Sequence, residues 1–334
     1  MKAAFRLLVL VVSCSLLFAA CEKKEQPHPL PPPADALNAQ VVMGQDYDMQ
    51  VFFSFENGVI ASSRNDSWDI SFTNTTGINE LRTNGGREVQ LKATGITDFG
   101  VVKDTAAGTW LYDDPSGLEG SSGLGDLVNN GHLNEVLLVK MSYLDGNDKK
   151  RVRLYKLQVT EINDDQYVIR TDTITGTAGT SVTLKRDQEY NFCYFSFKDG
   201  VVNPEPPKAE WDFVLTRYLH IYRKYNPDGS DFPYLVNGAL LNPYQTTAGD
   251  DSTKNIDFAS FTLADAEKFT LYPNRDVIGF DWKTVDINTS QYTVLPGRIF
   301  VIATQRNELW KLHFVSFYKD GKRGSPQFEY KRLR

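Results

Sequence analysis

The sequence predicts an all-β protein made of two related antiparallel β lobes, with very little helix. One stretch is written twice. Val51-Phe52-Phe53-Ser54-Phe55, then Gly58-Val59, then Trp68-Asp69-Ile70-Ser71-Phe72-Thr73 returns as Tyr194-Phe195-Ser196-Phe197, Gly200-Val201 and Trp211-Asp212-Phe213-Val214-Leu215-Thr216. The offset is 142 residues at Phe-Ser-Phe and 143 at Trp-Asp, so one residue is inserted in the linking loop. Aromatic and β-branched residues alternate with polar ones in short runs bounded by Gly, Asn, Asp and Pro, which is the period of half-buried strands. Only Thr262 to Lys268 has helical character, about two turns with Thr262 as N-cap.

The chain opens with Lys2 and Arg6, an apolar run from Leu7 to Leu17, and Phe18-Ala19-Ala20-Cys21. A charged start, a short apolar core and small residues before the cut form a secretory signal over residues 1–20. Small residues directly before a cysteine form a bacterial lipobox, with Cys21 as the lipid attachment site. Phe18 stands where Leu is more usual. Ordinary cleavage, with Cys21 left plain, is the alternative. The run is too short to span a bilayer comfortably, so a lipidated chain is held by its acyl groups alone. Residues 21–44, polar and then rich in Pro27, Pro29 and Pro31-Pro32-Pro33, read as a stiff extended tether. The expected location is the outer membrane or cell surface, lipid-anchored, after export.

Convincing strands follow at Val51 to Phe55, Trp68 to Thr73, Glu88 to Lys92, Val136 to Tyr143, Val152 to Thr160 and Gln166 to Thr173. Phe192 to Phe197, Trp211 to Tyr218, Ile278 to Trp282, Arg298 to Thr304, Leu309 to Phe317 and Gln327 to Arg332 complete them. Turns at Asn57-Gly58 and Asp199-Gly200 join the repeated strands to second strands. Turns at Asp145 to Asp148 and Gln305 to Glu308 precede Tyr155-Lys156-Leu157 and Trp310-Lys311-Leu312, a second and looser repeat. Lobe one spans residues 45–175 and lobe two residues 188–334. Phe192 to Phe197 could pair with lobe-one strands, so that the lobes share a sheet.

Charge and cysteine use narrow the function. Loss of Lys2 and Arg6 leaves 34 basic against 42 acidic residues, a net charge of −8. Phosphate binding calls for a basic face, so nucleic acid is not an expected partner. With Cys14 in the signal and Cys21 lipidated, Cys193 alone remains, so no intrachain disulfide is possible. Cys193 has no basic neighbour in sequence to activate it and reads as a small hydrophobe. Gly120 to Gly125 lacks the Lys-Ser/Thr of a phosphate loop, and neither a nucleophile elbow nor a paired-histidine zinc motif occurs. Trp68 and Trp211 read as core tryptophans whose neighbouring carboxylates fix a turn or accept a backbone N–H. Asp250, Asp251 and Asp257 read as a solvated acidic loop before a calcium site. No catalytic residue is assigned.

These strand motifs carry a likeness. Phe195-Ser196-Phe197, Trp211 to Tyr218, Ile278 to Lys283, Trp310 to Tyr318 and Phe328-Glu329-Tyr330 resemble the HmuY family of Bacteroidetes haem-binding lipoproteins. Trp68 to Phe72 followed by Thr83-Asn84-Gly85-Gly86 resembles the same motif in lobe one, and Cys21 matches the lipid-bearing position. The resemblance covers most of the chain from Val51 onward. It implies an all-β binding protein that captures haem outside the cell and delivers it to an outer-membrane receptor or transporter. Better-known members hold the iron by two His or Met side chains between the Trp-Asp and Lys-Leu strands. Here residues 225–298 contain neither His nor Met, and lobe one offers only His132 and Met141 in that interval. His132 and His220 could ligate the iron, with Arg217 near a propionate. The favoured alternative for each histidine is structural. Haem or porphyrin acquisition is therefore the first expectation for function. A structural or carrier lipoprotein of the same fold, for another nutrient or a partner protein, is the second. A hydrolase is disfavoured, because no acid/base constellation stands out in the sequence.

Overall fold

A computed structural model describes residues 35–106, 108–144, 147, 149–251 and 257–334. The signal peptide, Cys21, the prolines of the tether and most of the Asp145 to Asp148 turn lie outside them. Strands β1 (Leu37–Gln40), β2 (Met49–Ser54), β3 (Gly58–Arg64), β4 (Ile70–Thr73), β5 (Leu81–Thr83) and β6 (Gln90–Ala93) come first. Next are β7 (Val136–Leu144), β8 (Lys150–Ile162), β9 (Gln166–Thr173), β10 (Thr180–Lys185), β11 (Phe192–Ser196) and β12 (Gly200–Val202). After β13 (Phe213–Tyr222), β14 (Phe232–Leu241) and β15 (Thr247–Asp251) comes the one-turn helix α1 (Leu263–Ala266). The chain closes with β16 (Lys283–Asp286), β17 (Gln291–Val294), β18 (Ile299–Ala303), β19 (Leu309–Lys319) and β20 (Lys322–Arg332). Among the described residues no helix is long and apolar enough to cross a membrane.

All pairing between these strands is antiparallel. An upper five-stranded sheet, β1-β20-β19-β18-β15, covers one face of a four-stranded sheet, β14-β13-β2-β3. A lower five-stranded sheet, β10-β9-β8-β7-β6, covers one face of another, β12-β11-β4-β5. Alternation along each strand makes both cores. Phe53, Phe213, Leu215 and Leu241 point into the upper core with Trp310, Phe314 and Phe328. Ile70, Phe72 and Phe195 point into the lower core with Leu137, Val139, Leu157 and Tyr167. The intervening residues Phe52, Val214, Tyr218 and Leu240 lie on the opposite face of the upper four-stranded sheet.

The two copies of the repeat exchange hairpins. The β2–β3 hairpin from the start of the chain pairs with β13 of the second half, and β11–β12 pairs with β4 of the first. Ranges 45–175 and 188–334 are therefore each threaded by a hairpin of the other, and Phe192 to Ser196 does join a strand of the first range. The aspartates of the Trp-Asp pairs lock the exchange. Asp212 accepts a hydrogen bond from Phe55 N at 2.7 Å, and Asp69 accepts one from Phe197 N at 2.7 Å. Both carboxylates are buried, and each also meets an arginine, Arg306 and Arg87 respectively. The Lys-Leu repeat is equivalent in detail as well. Lys156 Nζ donates to Phe99 O and Val102 O, and Lys311 Nζ donates to Phe258 O and Phe261 O, each beneath a covering loop. Tyr155 stacks on Phe197 and Trp310 stacks on Phe55.

Three readings need correction. Ile278 to Trp282 is not a strand. Gly279 has φ +63° and Trp282 Nε1 donates back to Gly279 O, so the segment turns, and its alternation reflects burial of Ile278 and Trp282 from either side of that turn. The end of the predicted tether is not free chain either. Leu37–Gln40 pairs with β20, and Val41 and Met43 enter the upper core. The helix does begin at Thr262, whose side chain and backbone bond Asp265, but it lasts one turn.

Replacing Asp212 by Ala leaves Phe55 N–H without its acceptor and removes one of the three carboxylates that meet Arg306, the others being Glu56 and Glu308. Denaturant unfolding should show a loss of about 1–3 kcal/mol, since a buried backbone N–H is left unsatisfied. Asp212→Asn, which keeps an acceptor, should lose less. An unchanged midpoint for Asp212→Ala would remove the carboxylate from its role as the lock.

Candidate functional site: an inter-sheet cleft and an aromatic groove

The outer faces of the two four-stranded sheets confront each other across a cleft of about 120 Å³. From above come Phe52, Trp211, Val214, Tyr218 and Leu240, and from below come Trp68, Ser71, Phe192 and Tyr194. Asn84 closes one end, with Nδ2 donating to Asn65 O and Trp68 O. Asn242 plays the matching part in the second half, donating to Trp211 O and Lys208 O. Arg82, Arg217 and Arg275 reach the same space. Arg82 is spoken for by Glu80, Ser121 and the Leu118 carbonyl. Arg275 Nε donates to Leu241 O at 3.0 Å, and among the described residues no carboxylate pairs with Arg275 or Arg217.

A buried polar chain runs beside the cleft. Tyr194 donates to Glu205 at 2.8 Å and Asn191 Nδ2 donates to its other oxygen at 2.6 Å. Burial pushes the Glu205 carboxyl up to about 7, although Asn191, Tyr194 and the Arg275 charge pull it down. Desolvation likewise keeps Tyr194 and Tyr218 protonated far above the usual phenol range. Cys193, on the opposite face of β11, is held as a thiol by burial, its pKa raised to about 12, so it is no nucleophile at neutral pH.

A second concavity of about 480 Å³ runs along the free edge of β14. Its walls are Tyr222, Tyr225, Phe232, Tyr234 and Phe280, with the β16–β17 hairpin opposite. Tyr225, Phe232 and Tyr234 are exposed. Rings stack in series here, with Tyr225 on Phe232 and Phe232 on Tyr234. His220 lies behind this wall, with its ring 4.7 Å from Tyr222 and 5.0 Å from Phe280. No hydrogen bond engages its ring nitrogens among the described residues, and burial lowers its pKa, so the imidazole is neutral at pH 7. At the floor, Lys283 Nζ donates to Asn237 O at 2.7 Å, and burial brings its pKa down to about 7.

The four residues expected to hold haem are not gathered in one place. Met141 is sealed in the lower core at 2% exposure, so its sulfur is unavailable. His132 Nδ1 is engaged by Glu135 at 2.6 Å in the loop before β7. Arg217 lines the cleft and not the aromatic groove, and His220 stands behind the groove. Asp250 is an ion-pair partner of Arg298, and among the described residues no group of three or more His, Cys, Asp or Glu could hold a metal ion. The aromatic wall was missed from sequence. Its signal was present: Tyr222 and Tyr225 precede the turn Asn226-Pro227-Asp228-Gly229, and Phe232 and Tyr234 follow it two residues apart.

Comparison with known proteins gives one family. Residues 46–182, from just before β2 to within β10, match the family described as HmuY protein. The match covers less than half of the chain. Curated proteins give no match. Solved structures similar to this chain include the apo HmuY analog of Tannerella forsythia, at 9% identity and a TM-score of 0.25, covering 91% of this chain and 98% of that one. Apo PinO from Porphyromonas gingivitis aligns at 10% identity and a TM-score of 0.27, covering 90% and 98%. A protein of Bacteroides vulgatus described as HmuY-like and heme-binding aligns at 10% identity and a TM-score of 0.22, covering 88% and 90%.

Glu205 sets a pH dependence. Its folded pKa, about 7, lies above the ordinary 4.5, so its contribution is complete below pH 4.5 and is lost as pH rises through 7. The loss is about 3 kcal/mol at most. Urea unfolding at intervals from pH 4.5 to 8 should show this decline, and Glu205→Gln should flatten it. An equal slope in the variant would place the titration elsewhere.

Proposed function

We propose that the protein is a non-enzymatic, lipid-anchored envelope protein that binds haem or a related porphyrin at the aromatic groove. The carrying observation is the stacked, exposed wall of Tyr225, Phe232 and Tyr234 with an unengaged neutral imidazole, His220, behind it. A groove of about 480 Å³ lies in the size range of small-molecule sites and has the flat apolar faces a macrocycle stacks against. Solvent-exposed aromatic rings in a continuous patch are also what a binding surface leaves uncovered. The HmuY match supports the same reading through what its resemblance implies.

Haem supplies iron with open axial positions, and imidazole is a common ligand for them. His220 is better suited than Tyr222. Its lone pair is free at neutral pH, whereas burial makes Tyr222 hold its proton more tightly. His132, already tied to Glu135, and Met141, inside the core, are not part of this site. Arg223 is paired with Asp114 and Asp231, so Lys224 beside it would meet a propionate. Cys21 would carry the lipid, and an outer-membrane receptor or transporter would receive the ligand.

Titration of the purified mature protein with ferric and ferrous haem tests this. The wild type should give a red-shifted Soret band. His220→Ala should abolish the shift while iron-free protoporphyrin still quenches tyrosine and tryptophan emission. Phe232→Ala should weaken both by about tenfold, the equivalent of 1.4 kcal/mol of stacking. No Soret shift with either oxidation state overturns the proposal.

A further inference from the structure

Two strand edges border the aromatic groove and are left unpaired among the described residues. β14 ends the sheet β14-β13-β2-β3, and β16 pairs with β17 alone. Ala239 exchanges hydrogen bonds with Gly279, so its N–H and C=O point away from β13. The β13–β14 register runs without a bulge, and backbone direction alternates along an antiparallel strand. Asn237, Leu235 and Pro233 therefore point outward too. Asn237 O is taken by Lys283 Nζ at 2.7 Å, which together with Gly279 closes the inner end of the edge. Outside that closure, among the described residues, no hydrogen bond takes the N–H or C=O of Leu235 or the C=O of Pro233. On the far side Tyr292 N donates to Tyr318 Oη, so its cross-strand neighbour Val285 turns its own N–H and C=O away from β17. Leu235 and Val285 line the same concavity of about 480 Å³.

An open edge is a template for another strand, and proteins commonly blunt it with charge or proline. Pro233 is the one guard here, and it withholds only a single outward N–H. Phe232 and Tyr234 are exposed along the edge, and Lys283 is the only charged residue on the described lining. We infer that the edge of β14 from Phe232 to Val236 receives an extended segment of a partner protein, paired to it as an added strand. The pairing uses Leu235 N–H and C=O and Pro233 C=O. Alternate side chains of the incoming segment are apolar and lie on Phe232, Tyr234 and Phe280. One carboxylate at its inner end meets Lys283, where the lining offers positive charge and no competing acid. The segment is short, because Lys283 and Gly279 stop it at Asn237. The β16–β17 hairpin stands opposite, so the groove admits a single strand and not the edge of a second copy's sheet. The added strand does not depend on the haem reading, but it covers the same rings, so the two occupants exclude each other.

The probe is a blocked seven-residue peptide of alternating threonine and valine with a terminal glutamate, N-methylated at every second residue so that only one edge can pair. Calorimetry on the mature protein at pH 6, where Lys283 with its pKa of about 7 is charged, should give a Kd of about 1 mM or tighter. N-methylating the other edge as well should weaken binding about tenfold, and replacing the glutamate by lysine about fivefold. Both comparisons leave the protein unaltered. Hydrogen exchange at the Leu235 amide should slow when the peptide binds. Absence of binding, equal binding of the fully N-methylated peptide, or an unprotected Leu235 amide overturns the inference. So does a wild type that sediments as a dimer dissociated by the peptide, which assigns the edge to a second copy. Haem titrated into the peptide complex at pH 7 separates the two readings. A Soret shift without peptide binding leaves the haem reading and removes this one, and peptide binding without a Soret shift does the reverse. Haem and peptide held together place the strand elsewhere and overturn this inference.

Discussion

A buried carboxylate accepting a backbone N–H from the other half of the chain is the constraint on which this structure rests. Asp69 receives Phe197 N and Asp212 receives Phe55 N, each where a strand meets its turn. A strand end buried beside a core must satisfy its N–H groups, and here the donor belongs to one repeat and the acceptor to the other. The exchange brings Phe53 and Phe55 to the upper core and Phe195 to the lower. It also leaves Phe52 and Tyr194 on the outward faces, where they become walls of the cleft. Once the two aspartates are fixed, the cores and the space between them follow from strand alternation.

Much of the fold was legible. Phe-Ser-Phe, Gly-Val and Trp-Asp at one offset announce a duplicated strand–turn–strand unit, and the strands stand close to where alternation puts them. The exchange was not legible, because both hairpins carry the same apolar pattern and either would satisfy either Trp-Asp strand. Only the loops on each side choose between the pairings. Ile278 to Trp282 misled for a related reason. Alternating burial arises wherever a chain is pressed between two packed surfaces, and here a glycine at positive φ turns it instead.

The sites were less legible than the fold. Histidines and a methionine were sought because iron needs them, yet Met141 was needed in a core and His132 by Glu135. The cleft draws Trp68, Arg82, Tyr194, Trp211, Tyr218 and Arg275 from separate stretches of sequence, and no spacing rule joins them. The aromatic hairpin is the opposite case. Its rings are local in sequence, but strand-forming aromatics look alike whether they face a core or a solvent-exposed groove.

Hydrogen bonds between β1 and β20 join the two ends of the described fold, and the β2–β3 hairpin waits for β13, about 150 residues later. The upper core cannot close until β20 is made, whereas every strand of the lower core lies between Ile70 and Val202. Truncation before Gln327 would remove the partners of Leu37 to Gln40, leaving that strand bare. Such a topology should close its upper core last, and a linker joining the ends that lie side by side at Leu37 and Tyr330 should be tolerated better than the loss of either terminal strand.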